Sequence, residues 1–242
     1  MAESPDLRMS RSRLAGVIAL LTLFGILLYQ FGLFVMVIWL KFNDPGSSAF
    51  MRNTLAELRS DRADAVLRYE WVPYEKISPA LKQAVIAAED ANFMTHGGVE
   101  WEAIRRAFEY NMDMADEGRS RLRGGSTISQ QLAKNLFLSS DRSYLRKGQE
   151  LILTYMIEAV MSKKRILELY LNVAQWGTNI FGAQAASEHY FNNDASKLTR
   201  QQSARLAAML PNPAYYHRRG NTPYLQSRTA TLLKRMTMVQ TP

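Results

Sequence analysis

The sequence predicts a mainly α protein, one membrane-crossing helix followed by a helical domain. Three observations predict it. Residues 14–40 run for 27 residues without a charge. From residue 78 onward, helix-start signatures recur ahead of apolar residues three and four apart. No segment keeps a strict apolar–polar alternation, so little sheet is expected.

Residues 1–13 form a short polar N-terminus containing Arg8, Arg11 and Arg13. The span 14–40 follows. At about 1.5 Å per residue its helix reaches roughly 40 Å, enough for a ~30 Å hydrocarbon core with some tilt. A core helix seldom stays uncharged on every side for so long. A cleaved signal peptide is the rival reading, with Ser47-Ser48-Ala49 as a weak cleavage site, but its apolar region would run only ~7–15 residues. Three arginines precede the span and only Lys41 follows closely. The positive-inside tendency then places the N-terminus in the cytoplasm and the rest of the chain outside, on the periplasmic or extracytoplasmic side of the inner membrane. The absence of cysteine suits an oxidising space.

Residues 41–69 read as a juxtamembrane connector with a breaker at Pro45-Gly46. Its stretch SSAFMRNTLAELR is a short amphipathic helix, expected to lie on the membrane. Residues 70–242 suit one compact domain, long enough to bury a core without staples. Ser78 caps a helix with Pro79 at its first position, and Leu81, Val85, Ile86 and Ala88 supply its apolar stripe. VEWEAIRRAFEYNMDM is a second helix. Thr127 with Gln130 makes a capping box for TISQQLAKNLFL. SYLRKGQELILTYMIEAVMS follows, and Ser162 caps KKRILELYLNV. After the turn WGTN come GAQAASEHYF and a second capping box, Thr199 with Gln202, whose helix stops at Pro211. The formal net charge is +8. On a tethered domain this suggests anionic headgroups or an anionic substrate. Nucleic acid is seldom met by a chain anchored outside the cell.

Two carboxylates inside these helices can do chemistry. Glu89-Asp90 ends the apolar run AVIAAED, where burial can raise a pKa toward the range a general acid or base needs. A solvated last turn is the plainer reading. Glu150 follows Arg146 and Lys147 by one turn, and an ordinary surface ion pair explains that spacing equally well. The stretch RGGSTISQQLAKNLF adds a specific context. Gly124-Gly125 lets backbone approach a ligand, and the helix start at Thr127 offers N–H groups and a positive dipole end to an anion. Gln131 and Lys134 lie one turn apart, and Arg142, Arg146 and Lys147 follow. Together they suit a pyrophosphate. The junction is not a P-loop, since no Gly-Lys-Ser/Thr ends it. His96, His189 and His217 are scattered and no Asp-x-Asp occurs, so no protein-ligated metal centre is expected. Mg2+ or Mn2+ bridging a substrate's phosphates is compatible with the sequence.

AAEDANFMTHGG, RGGSTISQQLAKNLF, DRSYLRKGQE, KKRILELYLNVAQWG, GAQAASEHYF and SARLAAMLPNP occur in the order and spacing of the peptidoglycan glycosyltransferase domain. Over roughly residues 70–235 the chain resembles that family, in its monofunctional form. The resemblance implies a lysozyme-like, two-lobed helical domain with a jaw lobe near the membrane. It implies lipid II and a growing glycan strand as substrates, β-1,4 links formed with inversion, and undecaprenyl pyrophosphate as leaving group. Glu89 matches the catalytic base and Glu150 the second essential glutamate. Arg106, Ser126, Gln131, Lys134, Arg142, Arg146 and Lys147 match contacts to the phosphates or to moenomycin-type inhibitors. The motifs depart from the usual pattern at Ala91-Asn92, at His96-Gly97-Gly98, at Glu100 where Asp is usual, and at Gln149 where some members carry a cation. Wall-synthesis or division proteins would be the protein partners.

A lytic muramidase shares this scaffold and a glutamate but would not need the cation cluster. A non-catalytic wall-synthesis scaffold would not need both glutamates. The chain's length and the lack of Ser-x-x-Lys or Lys-Thr-Gly argue against a bifunctional synthase.

Overall fold

A computed structural model describes residues 10–116, 124–138 and 143–242. The long apolar helix α1 (Arg11–Phe42) begins at Ser10, whose hydroxyl accepts from the Arg13 N–H, and ends where Asn43 turns extended. It is 32 residues long, with a mean hydropathy of 2.2 over its most apolar stretch. Most of its apolar side chains are exposed, as a membrane crossing requires.

The C-terminal end of α1 is fastened to the domain. Val37 and Leu40 are buried in the core. Arg165 donates to the carbonyls of Leu40 and Asn43 at 2.9 and 2.6 Å and pairs with Asp44 at 2.9 Å. A cation thus sits at the negative end of the helix dipole. Further toward the N-terminus, Gln30 and Gln149 exchange hydrogen bonds of 2.6 and 3.0 Å.

The expected amphipathic helix forms as α2 (Ala49–Asp61), capped by the Ser48 hydroxyl. It does not lie free on a membrane. Met51 and Thr54 are buried, and the helix packs on the domain. Two short strands follow among the described residues, β1 (Arg68–Tyr69) and β2 (Ile180–Phe181), paired in parallel.

The domain's helices start where caps predict. Ser78 caps α3 (Pro79–Glu89), accepting from the Ala80 N–H. α4 (Trp101–Asp116) is amphipathic, with only Ala107 buried. Both halves of the Thr127–Gln130 capping box are present at α5 (Ile128–Phe137). Ser143 caps α6 (Tyr144–Val160) and Ser162 caps α7 (Lys163–Val173). α8 (Ala183–Phe191) precedes α9 (Arg200–Met209), which carries the Thr199–Gln202 box. The chain breaks near Pro211, and Pro213 and Pro223 each open a further helix, α10 (Pro213–Arg219) and α11 (Pro223–Arg235).

Packing falls into two groups. α3, α9 and α11 touch one another, burying Leu81, Val85, Leu206 and Leu225. α5 lies at the centre of the other group, against α2, α6 and α7. Each fully buried leucine contributes roughly 1.5–3 kcal/mol. The site lies where the end of α3 meets α5.

Candidate active site

Glu89 is the last residue of α3, and Asp90 leaves the helix with extended φ. The Glu89 carboxylate accepts from Gln131 Nε2 at 2.9 Å, and Gln131 Oε1 accepts from the Tyr170 hydroxyl at 2.9 Å. Burial is the main influence on Glu89 and pushes its carboxyl above the usual range. The Gln131 hydrogen bond and the charges of Arg228 and Lys134 pull it back, while neighbouring Asp90 raises it. This is a half-buried carboxylate in a desolvating setting and not a solvated helix end.

Asp90 is itself buried and ties three segments together. His96 Nε2 lies 2.8 and 3.0 Å from its two oxygens. The other ring nitrogen accepts from the Gly98 N–H, so Nε2 carries the proton that Asp90 receives. Asp90 also accepts from the Ile128 N–H at 3.0 Å. Gly98 has φ +95° and its carbonyl accepts from the Thr127 hydroxyl at 2.5 Å. A Cβ there would lie 2.6 Å from Glu158 Cγ, so only glycine fits. Lys163 fastens the same loop by donating to the His96 carbonyl at 2.7 Å.

These contacts correct the reading of the Gly-Gly-Ser-Thr junction. The start of α5 was expected to offer free N–H groups to an anionic ligand. Instead the Ile128 N–H goes to Asp90, and the Thr127 and Gln130 N–H groups are used by the capping box. The positive end of the helix is answered by a carboxylate of the protein. The close approach at Gly125 is to α4, since a Cβ would lie 3.0 Å from the Ala103 carbonyl oxygen and Ile104 Cα.

The positive charge near Glu89 comes from side chains. Glu150 on α6 is buried, not a surface partner. Arg146 Nη1 lies 2.8 Å from one of its oxygens, and Lys147 Nζ bonds the other. Lys147 also reaches the exposed Ser126 hydroxyl at 3.4 Å. Lys134, half-buried on α5, is drawn down mainly by burial. Glu150 and Glu89 act on it in the opposite direction, while Arg146 and Lys147 add to the depression. Lys134 therefore stands in the field of both glutamates. Three cations against one carboxylate leave this side of the site positive.

Arg106 is set apart on α4, half-exposed and paired with Glu100 at 3.1 Å. Asn92, where the motifs depart from pattern, holds the same Glu100 oxygen at 2.9 Å. Arg142 lies outside the described residues. Asp90 and His96 were noted from the sequence only as a neighbour of Glu89 and as a motif residue, and Tyr170 and Arg228 not at all. Asp90 adjoins the candidate base, but nothing in the spacing of Tyr170 or Arg228 marks them as its neighbours. Among the described residues no cluster of His, Cys, Asp and Glu could hold a metal.

A desolvated carboxylate beside a group of cations, on a helical domain, suits group transfer from an anionic leaving group. The transglycosylase family matches residues 54–237, and the chain belongs to that family. It is similar to the biosynthetic peptidoglycan transglycosylase of Bordetella pertussis, with 64% identity over 216 residues covering 89% of each chain. The Bordetella avium protein of that name is 62% identical, covering 95% of each. That of Nitrosospira multiformis is 51% identical, covering 90% of this chain and 93% of its own.

Proposed function

We propose that this peptidoglycan glycosyltransferase polymerises glycan strands from lipid II with Glu89 as general base. The observation that supports this assignment is the hydrogen bond at 2.9 Å from Gln131 on α5 to Glu89, with Lys134 one turn further along the same helix and Arg146 and Lys147 paired with Glu150 on α6, which packs against it.

Glu89 takes the proton from the 4-hydroxyl of the incoming lipid II. That oxygen bonds to the anomeric carbon of the growing strand as the carbon–oxygen bond to pyrophosphate breaks. A β-1,4 link forms with inversion, and undecaprenyl pyrophosphate leaves with the bonding electron pair. A positioned base contributes about 10²–10⁴-fold. Glu150 is committed to Arg146 and Lys147, so its role is to hold those cations where the leaving group's charge develops. Lys134, Arg146 and Lys147 bind the phosphates, with Ser126 beside them and Gln131 orienting the base. Arg106 and Arg142 are assigned contacts through the family resemblance. Arg106 must exchange Glu100 for substrate. Mg2+ or Mn2+, if used, would be held by the phosphate oxygens, since Glu150 is already paired.

Helix α1 holds the enzyme in its substrate's plane, the N-terminus in the cytoplasm and the domain outside. Residues 41–69 follow the span, with α2 packed on the domain. Wall-synthesis or division proteins are the protein partners that fit such a location. A lytic muramidase is disfavoured by the cations, and a non-catalytic scaffold by the pair of structured glutamates.

The test is incubation of the purified protein with labelled lipid II, with and without moenomycin. Polymer formed only without the inhibitor is the expected result. Cleavage of existing glycan without polymer would overturn the reading.

A further inference from the structure

Tyr170 lies on α7, 1% exposed, within an otherwise apolar stretch. Its hydroxyl donates to Gln131 Oε1, and Gln131 Nε2 donates to Glu89 Oε2, each at 2.9 Å. The three side chains come from α7, α5 and α3 and form a line ending at the base.

The line has a direction. An ionised carboxylate only accepts, so the amide must turn its NH2 toward Glu89 and its oxygen toward Tyr170. The reverse arrangement suits a protonated Glu89, with Gln131 Oε1 accepting the carboxyl proton and its NH2 donating to the phenol oxygen. In that arrangement the phenol loses the acceptor it has in the structure, on a side chain only 1% exposed. A buried donor without a partner is costly, so the ionised arrangement is favoured. Burial also holds the phenol well above its ordinary range, so it keeps the proton it donates.

We propose that Tyr170 is a positioning residue for glycosyl transfer. By fixing the Gln131 amide it keeps Glu89 in the proton-accepting form and aims one carboxylate oxygen at the acceptor hydroxyl, without itself touching substrate. The proposal rests on Glu89 being the base. Every charged group known to face Glu89 is otherwise unchanged by losing this hydroxyl: Asp90 beside it, Lys134 on α5 and Arg228 on α11.

Initial rates of lipid II polymerisation by the full-length protein in detergent micelles, taken across pH, test it. Tyr170→Phe keeps the ring and removes the donor. The acid limb of kcat/KM is expected to move to higher pH by about half to one unit, the weight of one hydrogen bond. KM should stay within about twofold. Gln131→Met should move the limb the same way, and adding Tyr170→Phe to it should move it no further. Replacing Tyr170 with 3-fluorotyrosine, a stronger donor, should move the limb to lower pH, and this variant leaves the packing nearly untouched. An unmoved limb in both Tyr170 variants overturns the proposal, as does a Tyr170→Phe shift that persists alongside Gln131→Met. A uniform loss of rate at every pH would mean a merely structural residue. Glu89→Gln separates the two readings. If it still polymerises, the base assignment fails. If it is inactive while the Tyr170 variants keep the wild-type profile, only the relay fails.

Discussion

Replacing Glu89 by glutamine should damage the reaction and strengthen the fold. The amide keeps the shape and still accepts from Gln131, but it cannot take a proton. Polymerisation should fall at least ~100-fold, the usual scale of a general base, with lipid II binding within about twofold. Stability should move the other way. Burial holds the Glu89 carboxyl above its unfolded value of 4.5. A carboxyl raised in this way contributes most below the unfolded value, and that contribution is lost as pH rises through the folded one. At neutral pH the wild type therefore carries a disfavoured, half-buried anion that the variant lacks. Relief of such active-site strain commonly yields roughly 0.5–2 kcal/mol, which is about 2–4 °C per kcal/mol for a domain of this size. Melting curves at pH 7.5 and near pH 4 check it. The variant should melt higher at the first pH and with the wild type at the second. Near-normal turnover would refute the base assignment. A lower melting point at pH 7.5 would refute the argument from burial.

Lys134→Ala should weaken pyrophosphate binding and make turnover more dependent on divalent metal, read by titrating Mg2+ in the polymerisation assay. A wild-type titration would remove Lys134 from the phosphate site. Two truncations separate anchoring from packing. Deleting residues 1–32 keeps Val37, Leu40 and the Arg165 contacts, and should polymerise in micelles while losing efficiency on bilayers. Deleting residues 1–40 also removes two buried side chains, at roughly 1.5–3 kcal/mol each as an upper bound, and should melt several degrees lower. Equal melting points would count against α1 as part of the core. A reporter fused after Pro242 should be active only outside the cytoplasm, and activity inside would overturn the topology.

Local chemistry made most of the fold legible. Ser78, Thr127, Ser162 and Thr199 each accept the backbone N–H that a cap should, because a hydroxyl two or three residues ahead of an orphan donor acts within its own segment. The uncharged run of α1 was as plain. What remained hidden depends on long-range partners. Asp90 claims the Ile128 N–H across 38 positions of sequence. The helix start therefore looked free when read alone. Glu150 has the spacing of a surface ion pair, and the packing of α6 among α1, α5 and α7 buries it. Tyr170 reads as one more core residue, since a phenol inside an apolar stripe gives no sign of what its hydroxyl meets. For α2 the amphipathic pattern was visible, but such a pattern does not say whether protein or lipid covers the apolar side.

The grip of Arg165 on the end of α1 has a mechanical consequence. A tether joined through a floppy linker would let the enzyme swivel at the bilayer. Here the span ends inside the domain, and Gln30 meets Gln149 roughly 15 Å farther along the axis, at about 1.5 Å per residue. Two fixings at separate heights resist both rocking and rotation. The span therefore behaves as a mast on which the catalytic body is mounted. The catalytic body thus keeps a fixed attitude to the axis of α1.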